Sequence, residues 1–131
     1  MKISELSYAS QIAPKTIRYY ESIGLLSSPS RDPNGYRNYS TEAVETLIFI
    51  RRCKELNMSL SDIKCLVEAQ RHPKASCGMV DELIAGQLRK VRETQKELAE
   101  LEQTLSTLAT SCSSEQIQDC SILNKLKIIS V

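Results

Sequence analysis

The 131-residue sequence predicts a mainly α chain with a winged helix-turn-helix over residues 1–70, a linker and long helix over 71–110, and a loop with a short helix over 111–131. Three features lead to this. Two short amphipathic segments lie about three residues apart near the N-terminus, a hairpin signal follows them, and a proline-free stretch from Ser76 to Ala109 repeats apolar residues every seven positions.

In the first segment Ile3, Leu6, Ala9 and Ile12 recur at helical spacing. The second opens at Ala13-Pro14-Lys15-Thr16 and runs through Ile17-Arg18-Tyr19-Tyr20-Glu21, with Pro14 in the first helical position, where its missing N–H costs nothing. Gly24 ends that helix, and Leu25-Leu26 would seat it on a core. Within the following segment, Asn34-Gly35 marks a β-hairpin because both residues can take positive φ; this is the wing. Ser40 or Thr41 caps a third helix carrying Val44, Leu47, Ile48 and Ile50. Ser59-Leu60-Ser61-Asp62 has capping-box form before a fourth bearing Ile63, Leu66 and Val67, which His72-Pro73 stops. Beyond it Ile84, Val91, Leu98 and Leu105 step by sevens, supplemented by Leu88, Leu101 and Leu108. A helix with one such seam requires a partner. Glu93, Glu97, Glu100 and Glu102, set among Arg89, Lys90, Arg92 and Lys96, read as its solvated face.

Composition excludes several classes. Hydrophobic residues make up 41% and charged residues 25%, with only 4 Gly and 4 Pro, which fits neither a disordered nor a fibrous chain. No apolar run reaches the roughly 18–20 residues needed to span a bilayer, and no signal-peptide block opens the chain, so a cytoplasmic protein without a membrane partner is expected. There is no glycine-rich phosphate loop and no His-Asp-Ser set, and no enzyme is expected. The net charge of +1 conceals an asymmetry: residues 1–54 hold eight basic against five acidic side chains, the remainder nine against eleven. All five tyrosines, Tyr8, Tyr19, Tyr20, Tyr36 and Tyr39, share the basic part, where phenols can donate to phosphates or simply pack, Tyr8 and Tyr39 being the best suited to packing.

Five cysteines in a short cytoplasmic chain favour reduced, buried or metal-bound thiols over disulfides. Extending the seven-residue series reaches Cys77 at one end and Cys112 at the other. Thirty-five helical residues separate the two by about 50 Å, so one straight helix cannot bring them to one ion, whereas an antiparallel pair of helices brings Cys77 of one protomer to Cys112 of the other. Cys120 follows across a polar stretch long enough to loop back toward Cys112. Cys77 should also sit in the first helical turn, where the dipole favours an anion. Three thiolates without a nearby histidine favour a soft or borderline metal over Mg or Ca. Three buried or incidental cysteines remain the open alternative at this point. Cys53 and Cys65 read as small core or surface residues, and His72 as a helix-end residue.

Thr16-Ile17-Arg18-Tyr19-Tyr20-Glu21, Gly24-Leu25-Leu26 and Asn34-Gly35-Tyr36-Arg37-Asn38-Tyr39 strongly resemble the MerR family of transcription regulators. Phe49-Ile50-Arg51-Arg52-Cys53 and Met58-Ser59-Leu60-Ser61-Asp62-Ile63 match as well. Ser76-Cys77-Gly78, Cys112 and Asp119-Cys120-Ser121-Ile122-Leu123 resemble its cadmium- and lead-sensing branch. The resemblance implies a winged helix-turn-helix DNA-binding domain followed by a long antiparallel dimerisation helix and a C-terminal metal-binding loop. It further implies a homodimer on promoter DNA that serves RNA polymerase by untwisting and bending the duplex when metal binds. Lys15, Thr16, Arg18 and Tyr19 are then expected at the major groove, with Tyr20, Arg31, Tyr36 and Arg37 on phosphates. Cys77, Cys112 and Cys120 are expected to hold Cd²⁺ or Pb²⁺, with Zn²⁺ or Hg²⁺ next. Monovalent copper sensors of the family carry serine where Cys77 stands, and two thiolates suffice for their ion. A third thiolate favours a divalent one. A regulator of this fold answering to oxidants through Cys77 and Cys112, or to Cu(I), is the alternative. Ala13 departs from the capping Ser or Thr usual before the second helix, a loss of about 1 kcal/mol.

Overall fold

A computed structural model describes residues 1–111 and 115–127. In chain order it contains α1 (Ile3–Ser10), α2 (Pro14–Ser22), β1 (Ser30–Arg31), β2 (Arg37–Asn38), α3 (Thr41–Glu55), α4 (Leu60–Ala69), α5 (Gly78–Ser111), a 3-10 turn (Ile117–Asp119) and α6 (Ser121–Lys127). This is the mainly α winged helix-turn-helix with a long helix behind it that the sequence predicts. The chain forms two compact units, Met1–Leu83 and Ile84–Val131. No helix among the described residues is long and apolar enough to cross a membrane.

In the N-terminal unit four short helices share one core. Leu6, Ile17, Leu47, Ile50, Met58 and Ile63 are fully buried, and Val80 and Leu83 from the start of α5 pack against the same cluster. Helix ends account for much of its shape. Gly24, at φ +78°, closes α2 with a Schellman motif, in which the Gly24 N–H donates to the Glu21 carbonyl and the Leu25 N–H to the Tyr20 carbonyl. Asn57, at φ 58°, closes α3 in the same way, with Met58 N–H donating to the Cys53 carbonyl. Each motif turns an apolar residue, Leu25 or Met58, straight into the core. Ser59 then caps α4 by accepting from the Asp62 N–H at 3.2 Å, as its sequence suggests. Ser40 occupies the cap position of α3, but its side chain makes no capping bond.

The three residues between α1 and α2 form the expected tight turn, and Gln11 there takes φ 61°, a left-handed conformation uncommon outside glycine. Its side-chain amide donates back to the Tyr8 carbonyl at 2.9 Å. Arg51 of α3 donates to the Ser10 carbonyl at 3.0 Å, placing a cation at the C-terminal end of α1.

The wing is present, with β1 and β2 antiparallel and Arg31 opposite Arg37, but its turn differs from the expected Asn-Gly type. Gly35 alone has positive φ, at +85°, and its N–H donates to the Asp32 carbonyl while Asp32 N–H donates to the Tyr36 carbonyl. The loop is therefore Pro33-Asn34-Gly35, three residues with glycine at the left-handed position. Pro33 explains the change, since it fixes φ where a type I turn needs it and leaves Asn34 no reason to invert.

In the second unit α5 buries none of its residues within the chain. Ile84, Leu88, Val91, Leu98, Leu101 and Leu105 are each 41–58% exposed, the seam the heptads predict.

Gly24→Ala should lower the free energy of unfolding by about 1–2 kcal/mol, because an L side chain at φ +78° is strained. The new methyl would also come within 3.2 Å of Lys64 Nζ, which a lysine can yield. Urea denaturation checks this; an unchanged midpoint would show that the stop does not need glycine.

Candidate functional site

Helix α2 has two unlike sides. Ile17 and Tyr20 are buried, and the opposite stripe of Lys15, Arg18, Tyr19 and Ser22, at the i, i+3, i+4 and i+7 spacing of one helical face, is exposed. Thr16 is half-buried at the edge of this stripe. On the wing, Arg31 and Tyr36 are exposed, and Arg31 donates to the Gly35 carbonyl at 3.0 Å. Arg37 is half-exposed. Tyr20, grouped by sequence with the phosphate contacts, is instead a core side chain at 7% exposure. It lies three residues after Ile17 on the inward face, and burial, with a smaller effect of Tyr19, raises its phenol above the ordinary value. Tyr8, read as a packing candidate, is 82% exposed, while Tyr39 is indeed buried.

Glu21 joins α2 to the wing. The Tyr39 hydroxyl donates to its Oε1, and Arg37 Nε lies 3.5 Å from its Oε2. Burial first, then the bond to Glu21 and the charge of that carboxylate, push the Tyr39 phenol up to about 12, against the lowering effect of Arg37 and Arg18. Lys64 of α4 donates to the Ile23 carbonyl at 3.2 Å, and Arg71 beyond α4 donates to Ser27 Oγ at 3.1 Å. Sequence reasoning missed these ties. The available signal was an acid, Glu21, standing alone inside a basic face.

Two of the three candidate metal-binding thiols are described. Cys77 is exposed and stands at the cap of α5, where its carbonyl accepts the Asp81 N–H and its Sγ is 3.9 Å from Asp81 Oδ2. Cys120 is half-buried and stands likewise at the start of α6, its carbonyl accepting the Asn124 N–H at 3.0 Å. Each cysteine thus stands at the N-terminal end of a helix. Cys112 lies outside the described residues. The bond that bears on it joins its flanks: Ser121 Oγ donates to the Ser111 carbonyl at 2.6 Å, so the residue after Cys120 is held to the residue before Cys112. Among the described residues no three Cys, His, Asp or Glu side chains gather within one chain. Cys53 is buried, its thiol pushed up by burial; Cys65 is exposed; and His72 is exposed, 3.7 Å from Glu68.

Comparison with known proteins places this geometry. The family described as MerR HTH family regulatory protein matches residues 1–70, and that described as MerR, DNA binding, matches residues 44–108. An uncharacterized HTH-type transcriptional regulator of Pseudomonas aeruginosa is 36% identical over 126 residues, covering 96% of each chain. A probable heavy metal-dependent transcriptional regulator of Haemophilus influenzae is 35% identical, covering 96% of this chain and 98% of that one. The crystal structure of a transcription regulator from Ralstonia metallidurans in complex with lead(II) is similar at a TM-score of 0.90 and 37% identity, over 96% and 98% of the two chains.

The Tyr39–Glu21 bond has a titration consequence. The phenol titrates near 12 when folded and near 10 when unfolded, so its contribution to stability is complete below about pH 10 and is lost as pH rises through 12. Urea melts at pH 8–12 should show wild type losing more stability than Tyr39→Phe above pH 10. Parallel curves would contradict the assignment.

Proposed function

The chain belongs to the MerR family of helix-turn-helix transcription regulators, and on that premise we propose that it senses a divalent soft metal through thiolates shared between two protomers. It is a DNA-binding regulator that acts as a homodimer. In the proposed reading Lys15, Thr16, Arg18 and Tyr19 approach the major groove, and Arg31, Tyr36 and Arg37 contact phosphates. The exposed stripe on α2 supports this, and the ring of Tyr20 packs in the core beneath it. Two copies pair along the α5 seam in antiparallel fashion, Cys77 of one meeting Cys112 and Cys120 of the other.

Cd²⁺ and Pb²⁺ are the preferred effectors, with Zn²⁺ and Hg²⁺ next. The lead(II) complex of a relative at 37% identity favours this class, as does a three-thiolate set, which supplies the charge and ligand number a divalent ion takes. The observation that carries the mechanism is the position of Cys77. It caps α5 three residues before Val80 and six before Leu83, both of which pack on the core of the DNA-binding unit. A bond made to Cys77 by the partner's loop therefore acts on the unit that reads DNA. Bending and untwisting a promoter costs ~1–6 kcal/mol, and metal–thiolate bonds formed better in the distorting arrangement shift the population toward it, making the promoter productive for RNA polymerase.

Two experiments test the two halves. Arg18→Ala should weaken binding to a promoter duplex by ~1–3 kcal/mol or lower the salt slope by about one. If affinity and slope both stay at wild-type values across several salt concentrations, α2 is wrongly oriented. For the metal site, Cys77→Ser and Cys112→Ser homodimers should each lose induction while still binding DNA. Isolated heterodimers of the two should regain one metal ion per dimer, whereas a site confined to one chain predicts none.

A further inference from the structure

Glu21 is an acid within the basic face assigned to DNA. Its side chain is about one-tenth exposed, one oxygen accepts from the Tyr39 hydroxyl, and the other faces Arg37 Nε at 3.5 Å. By charge alone it is unfavourable there, since a carboxylate beside Arg18 and Arg37 lowers the potential that attracts a polyanion. Its bonds point to a different role. Tyr39 is 3% exposed, and its backbone N–H donates to the Met1 carbonyl at 2.8 Å, so the phenol that holds Glu21 is itself fixed. With one oxygen locked in this way, the direction of the other is set. Across the wing Arg37 stands opposite Arg31, a like-charge pair that would push its guanidinium aside.

We propose that Glu21 is the positioning residue that aims the wing Arg37 at a DNA phosphate: it takes the guanidinium by Nε and leaves the terminal nitrogens to the phosphate oxygens. Arg is suited to this division because its donors lie in one rigid plane, so fixing Nε fixes the remaining fork. Tyr39 acts one step further back by holding Glu21. This inference rests on the reading of α2 and the wing as the DNA-binding face.

The test sets two effects of opposite sign against each other. The probe is a duplex recovered by the wild-type protein from a random-sequence pool, with affinity measured at several salt concentrations. Removing the charge in Glu21→Gln should tighten binding if Glu21 acts only through its field. As a positioning residue it should instead weaken binding about five- to tenfold and reduce the salt slope toward that of Arg37→Ala, the worth of one charge-assisted contact. The double variant Glu21→Gln/Arg37→Ala should then bind no more weakly than Arg37→Ala alone. Unchanged or tighter binding by Glu21→Gln, or losses that add in full, would overturn the proposal while leaving the DNA-binding reading intact. A wild-type protein that recovers no duplex would sink both. Should Glu21→Gln fail to fold by thermal melting, Tyr39→Phe carries the same expectation in smaller degree, and a wild-type salt slope there would equally refute it.

Discussion

A nine-residue helix without a side-chain cap has no independent stability in water, and α2 is such a helix. Everything the protein does through its reading head therefore depends on the burial of Ile17 and Tyr20 beneath it. Each apolar side chain of this size contributes about 1.5–3 kcal/mol when fully removed from water, enough to offset the missing cap at Ala13. The ends are then secured by polar means, with the Schellman stop and Lys64 at the C-terminal end and Glu21 toward the wing. Packing supplies the energy, and hydrogen bonds at the margins supply the orientation.

The long helix works the other way round. It satisfies its own backbone over 34 residues, yet beyond Val80 and Leu83, which pack partly buried on the N-terminal core, its apolar seam stays exposed within the chain. In the proposed dimer a second copy covers this seam, and the proposed effector site uses the same dependence. A ligand set divided between protomers is complete only when the seam is closed, which links the chemistry of sensing to the chemistry of assembly.

Features governed by local rules were legible in the sequence. The heptads, Pro14, Gly24 and Ser59 each act through backbone geometry or periodicity, and the structure places them as expected. Tertiary choices were less legible. Nothing in Tyr19-Tyr20 says which ring turns inward until the phase of α2 is set by Ile17, and Tyr8 carries no local signal of its exposure. In the wing, Asn34-Gly35 correctly announced a hairpin, but Pro33 decided the turn. The ties through Glu21, Lys64, Arg71 and Ser121 span between 10 and 44 residues of sequence, beyond any window in which periodicity or motif can speak.

The packing of Val80 and Leu83 on the N-terminal core has a consequence for modularity. The polar segment around His72-Pro73 looks like a natural splice point, but a reading head cut there would lose two partly buried side chains that pack against its core. Its first compact unit runs to Leu83, five residues into α5 from Gly78. A different sensor could be grafted onto this head only by preserving those opening turns and joining within the helix, in helical phase. Under the proposed mechanism, exchange of input specificity between such regulators is constrained to continuous helix, and a flexible linker at the apparent boundary would weaken the path from Cys77 to the DNA-binding unit.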